Sequence, residues 1–175
     1  MPGFNIEGAW ADGPNAVTEL RRKHRWTMVI ANDVNQSNKA TLYLQKAARP
    51  SVKFEEAVMH HDQERAYFAG RTEWEPLTIA FYDAEQSPDV SKFVYDWVQK
   101  VVNIPAVTVA PPSEYKNKRA TINMHDGAGT IKEAWTLLNV WPQATNWQDL
   151  DYSNTEIQTV EIILRYDRAT RESKT

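Results

Sequence analysis

The stretch "NTEIQTVEIILRYD", residues 154 to 167, constrains the fold more tightly than any other part of this chain. Val160, Ile162, Leu164 and Tyr166 alternate there with Thr159, Glu161, Ile163 and Arg165. A period of two places the first set on one face of a strand spanning 157 to 167, and the second set on the other. Such a strand needs an apolar layer against one face and hydrogen-bonded neighbours along its edges, so the rest of the chain has to supply both. Trp26, Met28 and Ile30 repeat the alternation from Arg25 onward. "KATLYLQ" (Leu42 and Leu44 against Thr41, Tyr43 and Gln45) and "SVKFEEAV" (Val52, Phe54 and Val58 against Lys53 and Glu55) do so again, joined by "KAARP". These two predict a hairpin or a long, bent ribbon running from Thr41 to Met59. "RAYFAG" and "WEPLTIAFYD" add two strands, the second with Leu77, Ile79 and Phe81 on one face and Pro76 near its start, where a missing N–H is tolerated. "KRATINMH", the tight turn "DGAG" and "TIKEAWTLLNVW" predict a hairpin over 118 to 141.

One segment has helical spacing. In "SPDVSKFVYDWVQKVVN", Val90, Phe93, Val94, Trp97, Val98, Val101 and Val102 form a single apolar stripe. Ser87 suits the N-cap, Pro88 the first helical position, and Asp89 the anion-favouring first turn. About seven strands to one helix predict a mainly β, antiparallel sandwich or barrel-like fold with the helix laid against it. A chain of 175 residues fits one domain, here expected over 21 to 170. Residues 1 to 20 hold three of the six glycines and two of the nine prolines without a sustained period, and are expected to be an irregular arm.

No constellation for chemistry stands out. Without cysteine there is no disulfide, thiolate nucleophile or Cys-ligated zinc. "HHD", His60 to Asp62, gathers metal-ligand types, but adjacent strand residues point to opposite faces, and a polar loop end is the expectation. His24 and His125 are expected to face solvent. "GAG" at 127 to 129 lies between two strands and not before a helix, which makes it a turn and not a phosphate loop. Glu55 with Glu56, and Asp149 with Asp151, are expected to be solvated carboxylates. Accordingly no catalytic, cofactor-binding or metal residue is assigned, no cofactor is expected, and the chain is not expected to be an enzyme. A net charge of −3 argues against a surface that grips nucleic acid throughout. The basic run "RRKHR", 21 to 25, suits a contact with an acidic neighbouring protein or a solvated strand entry. Of seven tryptophans, Trp26 and Trp97 lie on apolar stripes and belong to the core, whereas Trp10, Trp141 and Trp147 sit in polar surroundings suited to an interface. No basic, apolar leader and no 18-residue apolar run occurs, so neither a signal peptide nor membrane insertion by this subunit is expected.

"PPSEYK" (111 to 116) before an alternating strand, "NVWP" (139 to 142) closing one, and "SNTEIQTVEIILRYD" together resemble the tail tube protein of contractile-tailed bacteriophages of the T4 type. The order of upstream strands and the helix with "FVYDWVQ" extend the resemblance over about 24 to 167, and the "NVWP" and "EIQTVEI" regions are also similar to tubes of contractile injection systems. The resemblance implies a structural subunit of the inner tail tube in a virion, made in the host cytoplasm. Homo-hexamer rings, each lined by an inner β-barrel, would stack into the conduit for DNA. The implied partners are the tail sheath protein, the baseplate or tube initiator, the tape measure and the terminator, with DNA only as transient cargo in the lumen. A tube initiator or baseplate ring protein, or the tube protein of an injection system, are the alternatives it leaves open. Under this resemblance Glu161 is the candidate lumen-facing carboxylate, and the ribbon from Thr41 to Met59 the candidate contact between rings.

Overall fold

A computed structural model describes residues 21–31, 43–85, 89–116 and 118–173. Among them the elements run β1 (Trp26–Ala31), β2 (Leu44–Ala47), β3 (Val52–His61), β4 (Glu64–Trp74), β5 (Leu77–Tyr82), α1 (Val90–Val101), β6 (Val102–Asn103), β7 (Thr108–Val109), the short α2 (Pro112–Tyr115), β8 (Lys118–His125), β9 (Ile131–Asn146), β10 (Thr159–Arg165) and β11 (Arg168–Ser173). The expected arm over 1 to 20 and its Trp10 lie outside the described residues, as do Thr41 and Leu42.

The expected strand is β10, with Val160, Ile162 and Leu164 fully buried and Tyr166 nearly so. It pairs antiparallel with β5 on one side (Ile162 opposite Ile79) and with the far half of β9 on the other (Ile162 opposite Thr145). β9 is longer than expected, at 16 residues. Its first half pairs with β8 along one edge and with β11 along the opposite edge, and β10 continues that second edge. The result is a seven-stranded sheet in the order β1-β8-β9-β10-β5-β2, with β11 beside β9.

The sheet turns at Asn139. Its φ is 57°, a left-handed value that asparagine tolerates better than most residues. The register with β8 slips there, from Lys118 opposite Val140 to Arg119 opposite Leu138, leaving Asn139 as an extra residue. Its Nδ2 donates to Asp167 Oδ2 (2.8 Å), Lys116 Nζ donates to Asp167 Oδ1 (2.8 Å), and the Asp167 N–H donates to the Leu138 carbonyl (3.1 Å). Bonding by Lys116 and then Asn139 holds the Asp167 carboxyl below its ordinary pKa. Past this point β9 has lost β8 as a neighbour, so Pro142 occupies a strand with one free edge, where it is tolerated.

One apolar cluster draws on both halves of the sheet: Met28, Ile30, Ala120, Ile122 and Leu137 from the first, Leu77, Ile79, Phe81, Val160, Ile162 and Leu164 from the second. The halves therefore face each other as a sandwich. The strands do not close into a barrel among the described residues, because β1 and β2 remain terminal in the order. α1 adds Val90, Val94 and Trp97 to the cluster. Its N-cap is Asp89, whose carboxylate accepts from the Lys92 N–H (2.8 Å). The helix thus begins two residues later than an N-cap at Ser87 implies, and Ser87 and Pro88 lie outside the described residues.

The expected pairing of 41–45 with 52–58 is not found. β2 pairs with β5 (Leu44 opposite Phe81, Ala47 opposite Ile79), and β3 pairs with β4 from Val52 opposite Trp74 to His61 opposite Glu64. A two-residue turn, with Asp62 at φ 51°, closes β3 onto β4 far more tightly than "KAARP" can close β2 onto β3. The 118–141 hairpin forms as expected: Gly129 adopts φ +85°, and Asp126 Oδ1 accepts from the N–H groups of Ala128 (2.9 Å) and Thr130 (2.8 Å).

Replacing Ile162 with Asp puts a carboxylate at a position with no solvent and no cation, at a cost of about 4 kcal/mol or more. The variant is expected to show no cooperative thermal transition by circular dichroism. A folded, assembling Ile162→Asp protein would mean that β10 has been given the wrong face.

Candidate assembly surface

The ribbon made by β3 and β4 stands apart from the core. Every residue of β3 is exposed, and in β4 only Ala66 and Trp74 are partly covered. Cross-strand pairs alternate in face. Val52, Phe54, Val58 and Tyr67 lie on one face, while Ala57, Met59, Ala66 and Phe68 lie on the other. Phe54 is 56% exposed and Tyr67 62%, so both faces offer large apolar groups to whatever lies beside them. Among the described residues the ribbon is tied down at its base, where Trp74 packs on Tyr166 with centroids 6.0 Å apart and Arg165 Nη2 donates to Glu73 Oε1 (3.3 Å). Gly70 marks a bulge: a Cβ there would meet the Glu55 carbonyl oxygen at 3.0 Å, so a side chain would push the strands apart.

Two charged groups lie inside. Glu133 is 1% exposed and accepts from Arg171 Nη2 (3.2 Å), Trp135 Nε1 (2.6 Å) and Arg21 Nη1. The Arg171 hydrogen bond, with help from Trp135 and Arg21, holds its pKa at about 2 against the opposing effect of burial. Lys118 is 6% exposed and its Nζ sits 4.0 Å from the Trp97 ring centroid and 5.5 Å from that of Phe93. No carboxylate among the described residues pairs with it. Burial, and then the nearby Lys100, push its pKa down to about 7. Sequence parity carried a signal for both: Lys118 shares a face with Ala120, Ile122 and Met124, and Glu133 stands opposite Met124.

The residues singled out in the sequence are scattered. His60, His61 and Asp62 form the exposed tip of the ribbon, and among the described residues no three His, Asp or Glu side chains converge on a common point. His24 is exposed; His125 is half-buried, with Nε2 2.9 Å from Thr27 Oγ1 and Nδ1 3.1 Å from the Gly129 carbonyl, because the turn after β8 folds back beside β1. Glu55, Glu56, Asp149 and Asp151 are exposed. Trp141 meets Tyr115 edge-on at 5.8 Å and is half-buried, which places it more in the packing than at an interface. Trp147 remains exposed, and Trp97 is in the core; Trp26 is half-buried on the edge strand β1. No described helix is long and apolar enough to cross a membrane.

A family model described as the T4-like virus tail tube protein gp19 matches residues 34–170. No curated protein matches the chain. Among solved structures, a chain of the anti-feeding prophage tube-terminating cap is similar with a TM-score of 0.68 at 17% identity, over 93% of this chain and 97% of that one. A chain of the six-fold symmetrised anti-feeding prophage baseplate gives 0.67 at 15%, over 87% and 95%. One from the sheath-tube complex of the PVC extracellular contractile injection system gives 0.66 at 14%, over 98% and 100%. Likeness at these identities concerns the fold.

The buried lysine makes stability depend on pH. Its folded pKa of about 7 lies below the ordinary lysine value of 10.5, so between them the unfolded chain holds the extra proton and stability rises with pH. Below pH 7 both states are charged and the full burial cost remains, eased by the attraction to the Trp97 ring. Lys118→Met is expected to raise stability at pH 7 by about 1–3 kcal/mol and to flatten the rise between pH 7 and 10 in thermal melts. An unchanged slope would show that Lys118 is not the group responsible.

Proposed function

The chain belongs to the T4-like virus tail tube protein family, and from that premise we propose that six copies close into a ring, that rings stack into the inner tube of a contractile tail, and that DNA passes through the bore. The family match over 34–170 carries the reading. The terminal strands β1 and β2 support it, since a ring gives each exposed edge a neighbouring copy to pair with. A six-fold symmetrised assembly contains a chain of the same fold, which agrees with six copies.

The ribbon of β3 and β4 contacts the adjoining ring in this proposal, replacing the 41–59 segment that the sequence alone suggested. A two-stranded ribbon with apolar groups on both faces is marginal in water until something covers it. The bore takes the outer face of β10 with Glu161, and six subunits of −3 give about −18 per ring, a field that repels DNA and keeps it from sticking. The domain begins at 21 and, because β11 pairs with β9 as far as Ser173, runs past the expected end at 170, with the arm of 1 to 20 in front of it. Partners are the sheath, the initiator or baseplate, the tape measure and the terminator, and the location is the virion. The subunit acts as a wall and not as a catalyst. An initiator or baseplate-ring role uses the same fold; it differs in giving single rings where a tube subunit gives open-ended tubes.

Negative-stain microscopy of the purified protein is expected to show rings and hollow tubes, and compact monomers at high concentration would overturn the proposal. Tyr67→Asp with Phe68→Asp changes one exposed residue on each ribbon face and is expected to leave rings while abolishing stacking. Glu161→Lys is expected to keep the fold within about 0.5 kcal/mol and to make tubes retain short DNA in low-salt cosedimentation; retention equal to wild type would remove Glu161 from the bore.

A further inference from the structure

The cleft bordered by the edge strands β1 and β2 holds about 480 Å³, with Trp26, Ile122 and Met124 among its apolar walls and Lys23, Lys46 and Arg49 around it. No carboxylate lines it. The three cations are exposed and none forms an ion pair with a described residue. An apolar trough with a positive rim is complementary to a segment that is apolar and negative at once.

Such a segment exists in the same chain. The loop from Trp147 to Ile157 contains Asp149, Asp151 and Glu156 and no Lys or Arg. Leu150 is 88% exposed and Ile157 71%, and Trp147 and Tyr152 are exposed beside them. The loop is held in shape: Asp151 Oδ1 accepts from Ser153 N (2.9 Å) and Oγ (2.7 Å), Asn154 Oδ1 accepts from Glu156 N (3.0 Å), and Gln158 Nε2 donates to the Trp147 carbonyl (2.9 Å). A preformed loop loses less entropy on docking than a disordered one.

We propose that the 147–157 loop of one copy seats in the β1/β2 cleft of the next. Loop and cleft are different surfaces of one subunit: the loop leads into Thr159, opposite Tyr82 at one end of β5, whereas the cleft follows β2 along that strand, from Lys46 opposite Ala80 to Ala48, whose N–H donates to Thr78. Four residue steps, about 13 Å, separate the far end of the cleft from the start of the loop along the strands. Loop into cleft is therefore a head-to-tail contact between copies, which generates closed rings or open stacks. The contact rests on the tube reading and specifies which surfaces join its subunits.

A charge exchange tests it. Asp149→Lys with Glu156→Lys reverses the loop, and Lys46→Glu with Arg49→Glu reverses the cleft. All four positions are exposed, so both variants are expected to melt like wild type. Each alone is expected to need roughly tenfold or more higher concentration to assemble. Mixing the two variants one to one is expected to restore assembly, because every loop then meets a cleft of opposite sign in an alternating chain. The uncharged pair Asp149→Asn with Glu156→Gln, expected to weaken assembly less, keeps the test open should a reversal variant misfold. Assembly by both reversal variants at the wild-type concentration overturns the contact, as does weakening by only one of them, or failure of the mixture when both are folded. Those results leave the tube reading standing; wild-type protein that never assembles would instead remove the reading on which the contact rests.

Discussion

The structure depends on one strand serving two sheets. β9 gives its first half to β8 and β11 and its second half to β10, and the bend between the halves is what brings two apolar faces together. A flat sheet of this order would leave Val160, Ile162 and Leu164 on a surface with nothing opposite. Each such side chain is worth about 1.5–3 kcal/mol when buried, so the bend decides whether the chain has a core. Asn139 makes it with a left-handed backbone, and Asp167 fastens it through three hydrogen bonds that join β9, the β10–β11 junction and the residue after α2. Pairing continues in one register from Arg165 opposite Trp141 to Arg168 opposite Leu138, so β10 and β11 behave as one strand laid along the bent one.

Faces were legible in the sequence, as was the 118–141 hairpin, but the pairings of β2 and β3 were not. Period two identified the buried sides of β1, β5, β8 and β10, since burial of alternate residues is a local consequence of the pleat. The same rule places Lys118 and Glu133 inward, though a charged residue on an apolar face is easily dismissed as noise. What neighbours a strand depends on turn closure across the chain: "KAARP" suggests a β2–β3 hairpin, but the shorter turn at Asp62 pairs β3 with β4. The "NVWP" motif reads in the sequence as the close of a strand. It is in fact the start of the second half, where the missing β8 edge makes proline harmless. Of the assembly surface, the apolar content of β3 and β4 was visible, but not that both strands would leave the core together.

The core and α1 satisfy most of their polar groups within the subunit, the exceptions among the described residues being Trp97 Nε1 and Tyr166 Oη, which have no hydrogen-bond partner, and Lys118, which has no carboxylate. The Glu133 carboxylate has three donors, and α1 has its cap and an i,i+4 pair between Lys92 and Asp96 at 2.8 Å. Among the described residues the ribbon, the outer edges of the two terminal strands and the 147–157 loop have no comparable partners. Association costs about 4–15 kcal/mol in lost rigid-body freedom, which no single exposed aromatic group can offset. The proposed contacts combine several groups on one ribbon, or a loop anchored at both ends against a cleft. Exposed apolar surface on this scale is a hazard in a monomer and ordinary in a subunit whose neighbours are copies of itself.

Charge placement separates the two kinds of contact. The ribbon faces carry apolar groups at their centres, and their attraction is indifferent to salt and to the direction of approach. The loop and the cleft carry opposite signs on different surfaces of one subunit, so the proposed contact has a polarity: loop against loop or cleft against cleft brings like charges together. A structure that must grow in one direction needs both terms, one for cohesion and one for order. A net charge of only −3 on 175 residues hides this, because the positive rim and the negative loop largely cancel in the sum.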